Sequence, residues 1–215
     1  MFSIILKDCG KSFNRHWLFR NLNATLHSGE KWAILGPNGS GKSTLGLLLS
    51  GQLTPTEGSI EHIHNQVPVQ LNNLHTLVSL TSPALELNED LNTKEIFALH
   101  QKLKPLQIEK GFEIFASMAG FDTKTMQKPI ATFSSGMKQR VKLGLATMSD
   151  TPLLILDEPF TNLDKAGEHF FHSLLEKFGQ NRLLMIASNR EEEYAVCDRQ
   201  INLLSGLNAN AQRHC

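Results

Sequence analysis

The nine residues GPNGSGKST, Gly36 to Thr44, carry glycines, a lysine and hydroxyls in the spacing G-x-x-x-x-G-K-[ST]. They follow an apolar stretch, KWAIL, and precede a helical one, STLGLLL. Gly36, Gly39 and Gly41 let the backbone turn tightly and bring its N–H groups onto an anion with no Cβ in the way. Pro37, Asn38 and Ser40 fill the loop between them. Lys42 offers a positive charge for terminal phosphates, and the Ser43 hydroxyl, with Thr44 beside it, is placed for Mg²⁺. A helix opening at Ser43 would point its positive end at the same anion. This chemistry is the binding of a nucleoside triphosphate, and kinases, GTPases and transport ATPases all use it.

A second stretch, LLILDEPF from Leu153 to Phe160, is an apolar strand ending in two carboxylates. Asp157 at the carboxyl end of a buried strand beside a phosphate loop suits a Mg²⁺ partner. Side chains alternate along a strand, so Glu158 points elsewhere and can polarise or deprotonate an attacking water. Pro159 then ends the strand. The stretch FSSGMKQRVKLGLA, Phe133 to Ala146, puts two serines and a glycine at a helix entrance, where backbone N–H groups await an anion. The same serines also serve as an ordinary helix cap, with Val141, Leu145 and Met148 giving the helix an apolar side.

These residues need strands and helices to position them. Strand patterns occur at Ile4–Lys7, Leu22–His27, Lys31–Leu35, Ser59–Ile63, Leu77–Leu80, Leu153–Leu156, Leu183–Ala187 and Ile201–Leu204. Several are continuous apolar runs, as in strands buried on both faces. Helical patterns cover Ser43–Ser50, Thr93–Lys102 with a capping box from Asn92 to Glu95, and Leu106–Ala119. Others follow Ser135, Leu163 and Asn189. Strands and helices alternate early and late, which predicts an α/β core. Leu91 to about Met126 is helical without strands and reads as an inserted lobe.

The chain has 215 residues, with Lys+Arg and Asp+Glu both 21, so its formal net charge is zero. That balance argues against a polyanion-binding protein, and no nucleic-acid partner is expected. Cys9, Cys197 and Cys215 have no metal-ligand spacing and suit a reducing compartment. His62 and His64 read as a solvated strand face, and Glu191–Glu193 as an exposed helix start. No stretch approaches the roughly 20 apolar residues that span a bilayer. The N-terminus reads as a first strand, and the expectation is a cytoplasmic protein, peripheral at the inner face of the membrane when it works there.

The order of motifs resembles that of the ATP-binding cassette (ABC) ATPases: phosphate loop, helical lobe, FSSGMKQR, then LLILDEPFTNLD. The family's signature, usually LSGGQ, is matched with Ser134 as its serine and Gly136 as its second glycine. Ser135 and Met137 depart from it. TNLD, Thr161 to Asp164, resembles the family's D-loop. The resemblance implies a P-loop NTPase core with a mixed sheet, an antiparallel β subdomain and an inserted helical subdomain. Residues 1–82 and 150–215 would form the core with the β subdomain, and about 83–149 the helical subdomain. It further implies a head-to-tail dimer of two copies, in which Ser134 and Gly136 reach ATP on the partner's loop, with Asp164 of the D-loop also among the nucleotide-binding residues. Lys42, Ser43, Asp157 and Glu158 would act on the copy's own ATP and Mg²⁺. Phe13 sits where the family stacks adenine, with Trp17 as a nearby rival.

Two positions depart from the family. Asn189 stands where a histidine normally contacts the γ-phosphate; it can donate a hydrogen bond but cannot carry a proton, and it competes with a plain helix-capping role. Ser82 or Pro83 stands where a glutamine normally meets Mg²⁺. The implied function is an ATP-hydrolysing subunit of a transporter whose membrane-spanning subunits are separate chains. Its short cassette is similar to bacterial export-type subunits, including haem exporters. A soluble clamp or a nucleotide sensor with little turnover is the competing reading, and a P-loop kinase is disfavoured because it has no use for FSSGM.

Overall fold

In the computed structural model the described residues are 1–204 and 208–213, with side chains described through residue 203; Cys215 lies outside them. In chain order the elements are β1 (Phe2–Phe13), β2 (His16–His27), β3 (Lys31–Leu35), α1 (Lys42–Leu49), β4 (Glu57–His64), β5 (Val67–Pro68), α2 (Leu71–Leu74) and β6 (Val78–Thr81). Then follow α3 (Thr93–Leu103), α4 (Gly111–Ala119), α5 (Thr123–Met126), α6 (Ser135–Met148), β7 (Leu153–Asp157), α7 (Lys165–Phe178), β8 (Leu183–Ala187), α8 (Glu191–Tyr194), β9 (Arg199–Leu204) and β10 (Asn208–Arg213). The contacts divide them into two units: Met1–Leu80 with Pro152–Glu158 and Asn181–Cys215, and Thr81–Thr151 with Pro159–Gln180.

The first unit contains the sheets. Every residue of β7 and β8 is buried, so both faces of these strands are covered. Continuous apolar runs of this kind suit parallel strands in the middle of a sheet. The order is β10-β9-β3-β8-β7-β6, with β3, β7, β8 and β9 parallel and β10 antiparallel to β9. A second sheet, β2-β1-β4-β5, is antiparallel. Phe2, Ile4, Leu22 and Leu26 of this sheet share one core with Trp32, Leu45, Ile155 and Met185. The fold is therefore α/β with a mixed sheet and an antiparallel β portion, as expected.

Two histidines separate here. His62 is buried, not solvated, and its Nε2 donates to the Leu49 carbonyl at 2.8 Å. The C-terminal turn of α1 leaves that carbonyl without an intrahelical partner, and the imidazole supplies the donor. Burial lowers the pKa of His62, and the bond to the Leu49 carbonyl opposes that shift in part. Glu193 is likewise buried, whereas Glu191 and Glu192 are exposed.

The second unit is helical. Asn92 and Glu95 form the anticipated capping box at the start of α3, at 3.0 and 2.8 Å. The helix expected from Leu106 begins only at Gly111. Leu106 pairs antiparallel with Ser149 at the end of α6, with the Gln107 amide N–H bonded to the Met148 carbonyl at 2.9 Å, and bends and a turn follow to Lys110. The Gln107 side chain donates toward the carbonyls of Thr147, Ser149 and Phe178 at 3.1–3.2 Å, covering the acceptors left at two helix ends. The core is aromatic: Phe115 lies 4.6 Å from Phe97 and 6.0 Å from Phe121 and Phe170, ring centre to ring centre. Its contact with Phe170 helps group α7 with the helices, whereas the sequence boundary at 150 assigned α7 to the core. Phe170, Phe171, Leu174, Leu175 and Phe178 form its buried face.

Phe115 is fully buried at the centre of this cluster. Phe115→Ala is expected to cost about 3–5 kcal/mol, measured by urea unfolding. A cost below about 1 kcal/mol would show that the cluster does not hold the helices together.

Candidate functional site

Strand adjacency assembles the first half of the site. β8 lies between β3 and β7 in parallel register, with Ile34 opposite Ala187 and Asp157 opposite Ala187. The carboxyl ends of the three strands therefore release the phosphate loop, the Asp157–Glu158 pair and Ser188–Asn189 side by side. Crevices at such strand ends are where open α/β sheets bind ligands.

The loop itself is closely constrained. Gly36 has φ +151°, and a Cβ there would lie 2.8 Å from the Leu203 carbonyl and 2.6 Å from Ser40 Oγ, so no side chain is accommodated. Ser40 N donates to Pro37 O at 3.1 Å. Lys42 Nζ donates to the carbonyls of Gly36 at 2.8 Å and Pro37 at 3.4 Å, turning the ammonium back over the loop. The N-cap of α1 is Gly41, which offers no side-chain acceptor, so the first-turn N–H groups are available to an anion.

Asp157 ends β7, and Glu158, just beyond the strand, diverges from it. Asp157 is buried and Glu158 exposed. Burial raises the Asp157 pKa; the Ser43 hydroxyl, hydrogen-bonded to it, and the Lys42 charge oppose that shift, while Glu158 adds to it. Asp157 Oδ1 is buried without a hydrogen-bond partner. An orphaned carboxylate oxygen beside a serine hydroxyl fits a hard cation. Among the described residues no three His, Cys, Asp or Glu side chains cluster to hold a metal, so the remaining ligands would have to come from phosphate and water. Glu158 has φ +45°, a left-handed conformation that costs energy for a residue with a Cβ, and its N–H donates to the Ala187 carbonyl at 2.9 Å.

Asn189 does not cap α8, whose N-cap is Arg190. Its Nδ2 instead donates to Asn38 Oδ1 in the phosphate loop at 2.8 Å. No local sequence signal marks this pair, since 151 positions separate its members. Phe13 lines the same cavity, of about 340 Å³, with Asn38, Gly39, Gly41, Lys42, Ser43, Thr44 and Glu158. Its ring is 47% exposed. Trp17 is not among the residues that line this cavity; a cation lies over each ring, Lys11 Nζ 5.0 Å from Phe13 and the Arg20 guanidinium, forked onto Glu57, 4.2 Å from Trp17.

Ser134, Gly136 and Asp164 belong to the other unit and line a separate cavity of about 520 Å³ with Arg140 and Asn162. Ser134 caps α6, accepting from Met137 N at 3.2 Å. A Cβ on Gly136 would lie 2.6 Å from the Asn162 carbonyl, so glycine permits this close approach. Asp164 caps α7 through Gly167 N at 2.8 Å and accepts from Arg140 Nη2 at 2.6 Å. Ser82 and Pro83, at the expected glutamine position, lie in the same unit, where Lys142 Nζ donates to the Ser82 carbonyl at 3.1 Å.

A family model described as ABC transporter matches residues 19–161. The chain belongs to the ABC transporter family. It is 30% identical over 203 residues to the Nod factor export ATP-binding protein I of Sinorhizobium fredii, covering 92% of this chain and 59% of that protein's length. The ABC fold is shared with a bacterial Atm1-family ABC exporter with ATP bound (TM-score 0.82, 20% identity, 99% of this chain and 39% of that one). It is also shared with a dimeric ATP-binding cassette in a post-hydrolysis state bound to ADP and Pi (TM-score 0.81, 20% identity, 98% of each chain). Among the described residues of this ABC protein, no helix is long and apolar enough to cross a membrane.

Because the folded-state pKa of Asp157 is raised, its ionisation opposes folding. That opposition sets in as pH rises through the ordinary carboxylate range and vanishes on acidification. Without nucleotide or divalent cation, Asp157→Asn should therefore melt at a higher temperature than wild type at pH 7.5, with the gap closing as pH falls. Thermal scans across pH check this, and an Asp157→Asn protein that melts lower at pH 7.5 would contradict the assignment of a buried charge.

Proposed function

We propose that the chain binds and hydrolyses ATP as the nucleotide-binding subunit of a membrane transporter, working as a head-to-tail pair of copies. The carrying observation is the single cavity that gathers the phosphate loop, Lys42, Ser43 and Glu158, with buried Asp157 beside Ser43 and its Oδ1 without a hydrogen-bond partner. The name of the Sinorhizobium relative supports the transport role and an export direction.

ATP would lie with its base on Phe13 and its phosphates along the loop amides and the N-terminus of α1. Lys42 would exchange its two loop carbonyls for phosphate oxygens, a stronger charge-assisted contact. Mg²⁺ held by Ser43 and Asp157 would supply positive charge against the growing negative charge on the phosphate chain. Glu158, exposed at the cavity, would take the proton of the attacking water. Asn189 would turn its amide from Asn38 to the γ-phosphate. Ser134 and Gly136, in their own cavity, would cover the γ-phosphate on the partner's loop, completing a site that one copy lacks.

A low-turnover sensor is the second reading, favoured by Asn189, whose neutral amide is already engaged by Asn38. The two readings part on one measurement, ATP hydrolysis against protein concentration. A specific rate that climbs with concentration supports composite sites, and a measurable rate independent of concentration rules them out. Glu158→Gln should lower turnover by roughly 100-fold while an ATP-bound dimer accumulates in sedimentation. Lys42→Ala should weaken Mg-ATP binding by at least about tenfold, and undiminished affinity would overturn the role given to the loop.

A further inference from the structure

The first turns of α6 grip the segment that follows Glu158. Arg140 Nη2 donates to Asp164, the Asn162 carbonyl lies against Gly136 Cα, and Gln139 Nε2 donates to the Pro159 carbonyl at 2.9 Å. Gln139 is the exceptional member of this set. It is only 2% exposed, on a helix whose buried residues are otherwise Val141, Leu143, Leu145 and similar apolar or small side chains. Burying an amide is unfavourable unless its hydrogen bonds are made, and leucine of similar volume would pack there without that demand. Packing alone therefore gives no reason for an amide, whereas holding the Pro159 carbonyl does.

Pro159 directly follows Glu158, and its ring fixes its own φ. On the other side, the Glu158 N–H is bonded to the Ala187 carbonyl. The strained Glu158 backbone, at φ +45°, is thus anchored before and after. A non-glycine residue keeps such a conformation only where its surroundings over-determine it. The carboxyl-side anchor is a side chain of the helix whose N-terminus carries Ser134 and Gly136.

We propose that Gln139 is a positioning residue, which ties the backbone after Glu158 to the signature helix, so that docking of a partner's nucleotide at Ser134 and Gly136 is felt at the carboxylate that activates water. This rests on the proposed roles of Glu158 and of the signature. It makes turnover depend on Gln139 more strongly than binding or pairing does.

The test uses Gln139→Leu, which keeps volume and removes the donor. Turnover should fall about tenfold or more, as expected for a misplaced reacting group, with the affinity for Mg-ATP held within about twofold. In the Glu158→Gln background, Gln139→Leu should still form the ATP-bound dimer. Gln139→Glu keeps the shape but donates only when protonated, so its turnover relative to wild type should rise as pH falls. Unchanged turnover in Gln139→Leu, a loss of dimer along with turnover, or a pH-independent ratio for Gln139→Glu would each overturn the proposal. Glu158→Gln alone is the control. If it turns over like wild type, the reading of the base fails and takes this proposal with it; if it is inactive while Gln139→Leu is not, only the role of Gln139 fails.

Discussion

Parallel pairing of β8 with both β3 and β7 is the constraint on which the site depends. Without it, the phosphate loop, the acidic pair and Asn189 would be three unrelated points along the chain. With it, Ala187 stands opposite both Ile34 and Asp157, and whatever follows each strand emerges at one edge. Complete burial of β7 and β8 makes the register costly to change, because a slip by one residue would exchange the two faces of a strand packed on both sides. Precision at the site is thus inherited from hydrophobic packing several residues away. Two departures from ordinary backbone and burial rules, the left-handed Glu158 and the orphaned oxygen of Asp157, sit at the mouth of this well-packed sheet. Strain and unmet polar groups concentrate where function needs them and the scaffold can tolerate them.

The helical unit solves a different problem, that of presenting a helix N-terminus on a firm base. Its aromatic core sets the packing, and polar side chains then close the ends. Gln107 covers carbonyls at the ends of α6 and α7, and Asp164 caps α7 while pairing with Arg140 on α6. Side chains that cap and bridge at once reduce the number of ways the loops can move, which suits the proposed closing of this surface over a partner copy's nucleotide.

Much of this was legible in the sequence because its signals are local. Apolar runs marked β3, β7 and β8, and the spacing of glycines, Lys42 and Ser43 marked the loop. Asn92 and Glu95 marked the start of α3. The errors share a cause. Leu106–Lys110 looked helical by composition, but Leu106 is drawn into pairing with the far end of α6, and a turn at Glu109 and Lys110 delays the helix. His62 looked solvated because nothing nearby in sequence reveals that the Leu49 carbonyl needs a donor. The Asn38–Asn189 pair and the Gln139–Pro159 bond join residues that only the fold makes neighbours.

The position of β3 in its sheet also bears on how the molecule comes into being. β3 is made before both of its sheet neighbours, β8 and β9, which lie beyond residue 182. Until those late strands are made, the phosphate loop hangs from a strand with neither flank paired. The hydrogen-bonded ladder of β1, β2 and β4 needs no later strand and can form early from local contacts, while its buried face waits for β7 and β8. Nascent chains would thus carry a formed β layer and a growing helical lobe while still unable to grip a nucleotide. Competence to bind would arrive only once β8 and β9 are made, when the loop becomes anchored by strands encoded some 150 residues downstream.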